Sequence, residues 1–205
     1  MEIVISGAFT DGDEIFKQSL TDALVLFAKV IIRNGYEITF GSHPTFQEIF
    51  YEVARELEPQ QYQSIVNMYI SKWYLEQEPE KEEEYRKKYC LHVSDKKNNR
   101  NQSLSEMRRN MIQRKNVKAV VCLGGKVRAD KTEEGIREEI DLARKMNIPV
   151  FVVGSVGGCS SKVAAEFKKC GWKNLNEAPI ELNQRFFEGI DYFGMAQEMM
   201  RYITS

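Results

Sequence analysis

Arg108 and Arg109 stand in the stretch Met107-Arg108-Arg109-Asn110-Met111. The two methionines are one helical turn apart and face a core together, so at least one arginine points elsewhere. A guanidinium fork takes two oxygens at once, which suits a phosphate or a carboxylate; a surface arginine is the alternative. Further along, Gly135 and Glu139 are also one turn apart. Gly135 leaves room beside the Glu139 carboxylate, which can bind ribose hydroxyls or act on a glycosidic bond. The neighbouring Glu133, Glu134 and Glu138 read as ordinary partners of a helix start. His43, between Ser42 and Pro44, can contact a ligand, act as an acid or base, or cap its loop.

Four short segments rich in small residues accompany these side chains. They are Ser6-Gly7-Ala8, Gly41-Ser42-His43, Gly124-Gly125-Lys126 and Gly154-Ser155-Val156-Gly157-Gly158. Each follows an apolar, β-rich run. Glycine there lets a ligand approach the backbone, and free N–H groups at a helix start bind anions. Any one such glycine serves equally to make a tight turn. Recurrence at four strand ends is what points to a ligand, with a phosphate-bearing molecule as the first expectation. No Walker A lysine motif and no GxGxxG occurs, which disfavours ATP hydrolysis and standard dinucleotide binding.

The elements that position these residues follow from periodicity. Residues 3–6 read as a buried first strand. Residues 13–34 read as a helix, with Phe16, Leu20, Leu24, Phe27 and Ile31 at three-to-four spacing and a stop at Asn34-Gly35. Residues 36–40 alternate as a second strand, 41–45 form a loop, 46–57 a helix and 65–69 a third strand. The charge-dense run 76–88 reads as a solvated helix or a mobile loop, and 96–102 as a loop. Ser103 with Glu106 has the form of a capping box opening a helix that runs to about residue 114. Residues 117–123 are the most continuous apolar run and read as a central parallel strand. A helix over 133–146, a strand over 149–153, a short helix over 161–169 and a last helix over 191–202 complete the chain. Strands alternating with helices predict an α/β, Rossmann-like open, mostly parallel sheet with helices on both faces. Such sheets bind ligands at the carboxyl ends of their strands, near the switch point.

The 205 residues suit a single domain over 1–205, with a core over about 3–170 and a C-terminal helical tail over 171–205. Lys and Arg number 29 against 30 Asp and Glu, a net charge of −1 that argues against a polybasic nucleic-acid or membrane-surface binder. The apolar stretch 23–32 is too short to span a bilayer and contains Lys29, and the N-terminus shows no signal-peptide pattern. None of Cys90, Cys122, Cys159 and Cys170 forms a CxxC pair, and with two histidines in the chain zinc spacing is absent. Reduced thiols in a cytoplasm, with no metal and no cofactor, are the simplest expectation.

Over residues 3–167 these motifs resemble the SLOG superfamily, named for the Smf/DprA DNA-uptake proteins and the LOG phosphoribohydrolases. LOG-like enzymes carry an arginine-bearing helix, then an apolar strand ending in PGGxGTxxE. Here Arg108-Arg109 precedes the run 117–125, and Gly135-Ile136-Arg137-Glu138-Glu139 stands in the place of GTxxE. The resemblance matches Arg108 and Glu139 to the catalytic pair of a hydrolase. Leu123 replaces the motif's proline, Ile136 its threonine, and a longer loop, 126–134, intervenes. The sequence is more similar still to SLOG sensor domains of TIR-associated, Thoeris-type bacterial defence systems, although Gly41-Ser42-His43-Pro44-Thr45 looks like the Gly-x-His-Pro loop of other TIR-neighbouring groups.

That resemblance implies a module that senses a nucleotide-derived ligand of the ADP-ribose or cyclic ADP-ribose type. Arg108, Arg109 and Lys126 would hold phosphates, and Glu139 ribose hydroxyls. His43, with Gly41 and Ser42, would contact ligand from the second strand end. The backbones of Ser6, Gly7, Ala8, Gly124, Gly125, Gly135, Gly154, Ser155, Gly157 and Gly158 would line the pocket. It also implies a homo-oligomer, and an output through assembly, a region outside these residues, or a partner such as a TIR-domain or other effector protein. The alternatives are a nucleoside 5′-monophosphate phosphoribohydrolase and a non-catalytic scaffold. The net charge weakens a fourth reading, nucleic-acid binding.

Overall fold

The computed structural model describes residues 1–9, 14–127 and 135–205. Six strands form one sheet: β1 (Glu2–Ala8), β2 (Glu37–Phe40), β3 (Val66–Ser71), β4 (Cys90–Ser94), β5 (Val117–Gly124) and β6 (Val150–Val153). Their order is β4-β3-β2-β1-β5-β6 and every neighbouring pair is parallel. The chain therefore walks outward from β1 to β4, returns to the other side of β1, and walks outward again. The direction reverses between β1 and β5, where a crevice opens at the strand ends.

Both faces are covered, so the strands are apolar on both sides. Ile3 and Ile5 of β1, Val121 and Leu123 of β5 and Phe151 and Val153 of β6 enter one core. Long α1 (Glu14–Arg33), α2 (Pro44–Leu57) and α10 (Tyr192–Thr204) supply its other side, through Phe27, Phe50 and Met199 among others. The intervening residues Val4, Val120, Cys122, Val150 and Val152 enter a second core. There they meet α6 (Arg100–Ile112), α7 (Gly135–Lys145) and α8 (Gly158–Lys169) through Met107, Met111, Ile140 and Val163. Because α10 buries Met195, Ala196, Met199 and Met200 in the first core, the C-terminal segment is part of the packed body.

Three local expectations change, and the charged run takes the helical one of its two expected forms. The helix expected from Phe46 begins at Pro44, with proline at its first turn where its missing N–H costs nothing, so the loop shortens. The helix assigned to a Ser103–Glu106 capping box begins at Arg100; Asn99 is its cap, accepting from the Gln102 N–H at 2.9 Å. Ser103 is buried inside it, its hydroxyl donating to the Asn99 carbonyl and accepting from the Lys97 N–H. The charged run forms α5 (Glu80–Lys88), with acids in its first turn, bases in its last and i,i+4 pairs between, as the helix dipole favours. Strand β4, the two short helices α3 (Tyr62–Ile65) and α4 (Lys72–Leu75), and α9 (Ile180–Glu188) were not expected. Among the described residues no helix is long and apolar enough to cross a membrane.

Candidate functional site

A cavity of about 650 Å³ opens at the carboxyl ends of β1, β2 and β3, between α2, α4, α5, α6 and α7. That is the size range of small-molecule sites, roughly 300–1,000 Å³. Glycines make the crevice by close backbone approach. A side chain on Gly7 would collide with the Leu123 carbonyl of β5, and one on Gly125, where φ is +91°, with the Ile136 side chain.

At its inner end the cavity holds a charged cluster. Arg108 projects from α6 to Glu138 and Glu139 of α7, with Nη1 2.6 Å from Glu138 Oε2 and Nε 3.3 Å from Glu139 Oε1. Gly135 permits this: an added Cβ would lie 2.6 Å from Arg108 Nη2. Glu139 is only 7% exposed. Burial pushes its carboxyl pKa up, against the opposing pull of the Arg108 guanidinium and the Ser6 hydroxyl. Ser6 sits near enough to favour the charged form, yet Ser6 Oγ, Arg108 Nε and Glu139 Oε2 all lack a well-directed hydrogen bond from the described residues. Buried polar atoms are normally satisfied, so these three adjoining atoms leave hydrogen-bonding capacity at the cavity wall.

The second strand end adds Gly41, Ser42 and His43. Ser42 adopts φ +43°, and its carbonyl accepts from Gln47 Nε2 at 3.0 Å. His43 stands at the start of α2, its ring 5.4 Å from that of Phe46. Exposed Lys126 lines the mouth. Thus the structure brings Ser6, Gly7, Ala8, Gly41, Ser42, His43, Arg108, Gly125, Lys126, Gly135 and Glu139 to one cavity.

Other expected site residues lie elsewhere. Arg109 is turned outward and pairs with Glu106 at 2.8 Å, one turn back on its own helix. The loop after β6 faces the C-terminal helices instead of the cavity. Gly154 donates to the Phe186 carbonyl, and Ser155 Oγ to the Gly189 carbonyl at 2.6 Å. Gly157 and Gly158, both at positive φ, admit the Phe16 ring and the Gly124–Gly125 backbone. Gly124 is tied to the Ser160 hydroxyl through its N–H. These glycines are required by packing. Of the loop 126–134, residues 128–134, including Glu133 and Glu134, lie outside the described residues.

Two features of the site were missed. Glu138, read as a dipole partner, is the nearer partner of Arg108. Arg100, Leu104 and Arg108 line the cavity from one face of α6, as do Asn101 and Ser105. Their spacing of four was available in the sequence once the helix start was placed at Arg100 rather than Ser103.

A family model described as the SLOG cluster3 family matches residues 9–184. The chain belongs to the SLOG cluster3 family. The match spans every element from α1 through the first turn of α9. SLOG membership supports a nucleotide-related module. Among solved structures, the X-ray structure of the structural-genomics target TM1055 superimposes with a TM-score of 0.53 at 16% identity, over 80% of each chain. At that identity the likeness concerns the α/β, Rossmann-like fold alone. No curated protein matches the chain.

Proposed function

We propose that this SLOG protein binds a nucleotide-derived ligand of the ADP-ribose or cyclic ADP-ribose type and acts as a sensor in bacterial antiphage defence or nucleotide signalling. The observation that carries the reading is the buried Arg108–Glu139 pair at the switch-point crevice, with polar atoms on Ser6, Arg108 and Glu139 that no described residue satisfies. A carboxylate buried in a cavity wall recognises a vicinal diol by accepting two hydroxyl hydrogen bonds. Lys126 and the first turn of α2 supply positive potential for a phosphate at the mouth. Arg108 shares its charge between two carboxylates, so its first role is to hold Glu139. Output would pass through self-association or an effector partner such as a TIR-domain protein.

One observation favours a second reading, hydrolysis of the N-glycosidic bond of a nucleoside 5′-monophosphate. Glu139 is a carboxyl whose pKa is raised by burial and which sits beside an arginine, a setting suited to acid–base work at a ribose.

Thermal shift against ADP-ribose, its cyclic isomers, NAD and nucleoside monophosphates, with chromatography of the same samples, separates the two. A ligand at about 100 times its Kd adds roughly 2.7 kcal/mol of stability. A shift without turnover, lost in Glu139→Gln, supports the sensor. Release of free base, also lost in Glu139→Gln, supports the hydrolase. No shift with any compound overturns the nucleotide reading and leaves the scaffold alternative.

A further inference from the structure

The cavity continues well past the Arg108–Glu139 cluster. Arg100 and Arg108 both line it from α6, and at eight positions apart they are separated by about 12 Å of helix axis, more than two turns. A ribose with its phosphate, placed at Glu139, leaves the Arg100 end of this trough unfilled. That end is chemically different. Its floor is apolar, formed by Ile70 at the end of β3, Leu75, Leu104 and Tyr85. Tyr74 of α4 stands beside it, half-buried, its hydroxyl accepting from Arg100 Nε at 3.0 Å. The Arg100 guanidinium lies 5.9 Å from the Tyr74 ring centroid. The hydrogen bond ties the exposed Arg100 side chain to the tyrosine, so a ring and a guanidinium stand together beside the apolar floor.

We infer that the Tyr74–Arg100 end of the cavity is a subsite for the aromatic base of the ligand whose ribose sits at Glu139. Flat, π-rich, weakly hydrated groups fit an aromatic ring beside a guanidinium over an apolar floor better than a sugar does. Gln77 and Ser105 also line the cavity, and although the Gln77 amide N–H donates to the Trp73 carbonyl, polar groups for the edge of a base are present in its wall. The charged segment of α4 and α5, which the sequence left without a role, thereby becomes the wall that selects a nucleotide over a sugar phosphate. The inference rests on the nucleotide reading above, which assigns the ribose to Glu139.

Two probes separate the halves of the trough. Ribose 5-phosphate tests the Glu139 end alone, and AMP tests both. Titration calorimetry on the purified chain should show AMP binding about ten-fold or more tighter than ribose 5-phosphate. In Tyr74→Ala the AMP affinity should fall to that of ribose 5-phosphate, whose own Kd stays unchanged. Tyr74→Phe, which keeps the ring, should keep most of the AMP advantage. Tyr74→Leu serves if the alanine variant fails to fold, with unchanged ribose 5-phosphate binding as proof of an intact site. Equal affinities of the wild type for the two probes overturn the base subsite and leave the ribose reading standing. So does an AMP advantage that survives loss of the ring, or a loss shared equally by both probes. Failure of both probes to bind overturns the two inferences together.

Discussion

Replacing Arg108 by Met keeps the length and apolar stem of the side chain and removes only its charge. The wild-type Arg108 side chain is 16% exposed and the side chain of its partner Glu139 10%. The variant leaves Glu139 buried with the Ser6 hydroxyl beside it and Glu138 as a like-charged neighbour on the same turn. Breaking a buried pair by removing one partner costs about 3–5 kcal/mol. The cluster opens onto a solvated cavity, which selects the lower end, about 3 kcal/mol. For a chain of this length each kcal/mol moves Tm by about 2–4 °C, so Tm should fall by about 6–12 °C near neutral pH.

The pH dependence carries the sign. Glu139 already has a folded-state pKa above that of an exposed carboxyl, chiefly from burial, and Arg108 is the largest opposing influence. Without Arg108 the folded state holds that proton more tightly still. Stability of the variant is then fully present below the unfolded carboxyl pKa and declines as pH rises through the folded value. The Tm gap between wild type and Arg108→Met should therefore narrow as pH is lowered from 8 to 5. The double variant Arg108→Met/Glu139→Gln removes the stranded charge and should recover most of the lost Tm at pH 8 without recovering ligand binding. Differential scanning fluorimetry across pH measures all of this. A Tm loss equal at both pH values, or a double variant no more stable than Arg108→Met, would refute the account of the cluster.

Further outcomes follow from neighbouring contacts. Glu138→Gln removes the nearer competitor for Arg108; ribose 5-phosphate should bind several-fold more tightly by calorimetry, and weaker binding would mean that Glu138 itself holds ligand. Gly7→Ala drives a methyl group into the Leu123 carbonyl between two central strands; denaturant unfolding should show a loss of about 2 kcal/mol or more. Gly135→Ala meets only the mobile end of Arg108, so Tm should change by less than in Gly7→Ala while ligand affinity falls; an unchanged affinity counts against the placement of Arg108. Arg114→Met strands the Glu2 carboxylate, 2% exposed, far from the cavity; stability should drop by about 3–5 kcal/mol with the Kd for ligand unmoved.

The sequence carried the layered fold because its signals were redundant. Strands β1, β5 and β6 are continuous apolar runs covered on both faces, and α1 repeats its apolar residues over five turns. Strand β4 was illegible for the opposite reason. At the sheet edge Cys90, Leu91, His92 and Val93 are all only half-buried, so neither alternation nor a run appears. The site shows the same division. Arg108 and Glu139 were legible because their contact is set by two long helices. Arg109 was not separable from Arg108 by composition, since only the rotation of α6 decides which one faces the cavity. The glycines after β6 misled because glycine required by a packed Phe16 or Phe187 is spelled the same way as glycine required by a ligand.

The chain contains a second buried carboxylate–arginine pair, and the contrast between the two argues for function at only one of them. At the amino end of β1, Glu2 accepts from Arg114 through both carboxylate oxygens, from the Thr39 hydroxyl and from the Asn116 amide. Arg114 in turn lies 4.9 Å from the centroid of the Tyr69 ring. Every oxygen there is used, so the pair is a closed fastening between β1, β2 and the end of α6. At the carboxyl end of the same strand, and among the described residues, Glu139 has one 3.3 Å contact with Arg108, an oxygen without a partner and a serine hydroxyl beside it that is also unspent. A folded chain gains nothing from leaving such buried atoms short of protein partners, and a hydrophobic replacement there would be the more stable choice. The same chemistry is thus complete where only the fold uses it and incomplete where the cavity opens, which is the pattern expected when a ligand supplies the missing hydrogen bonds.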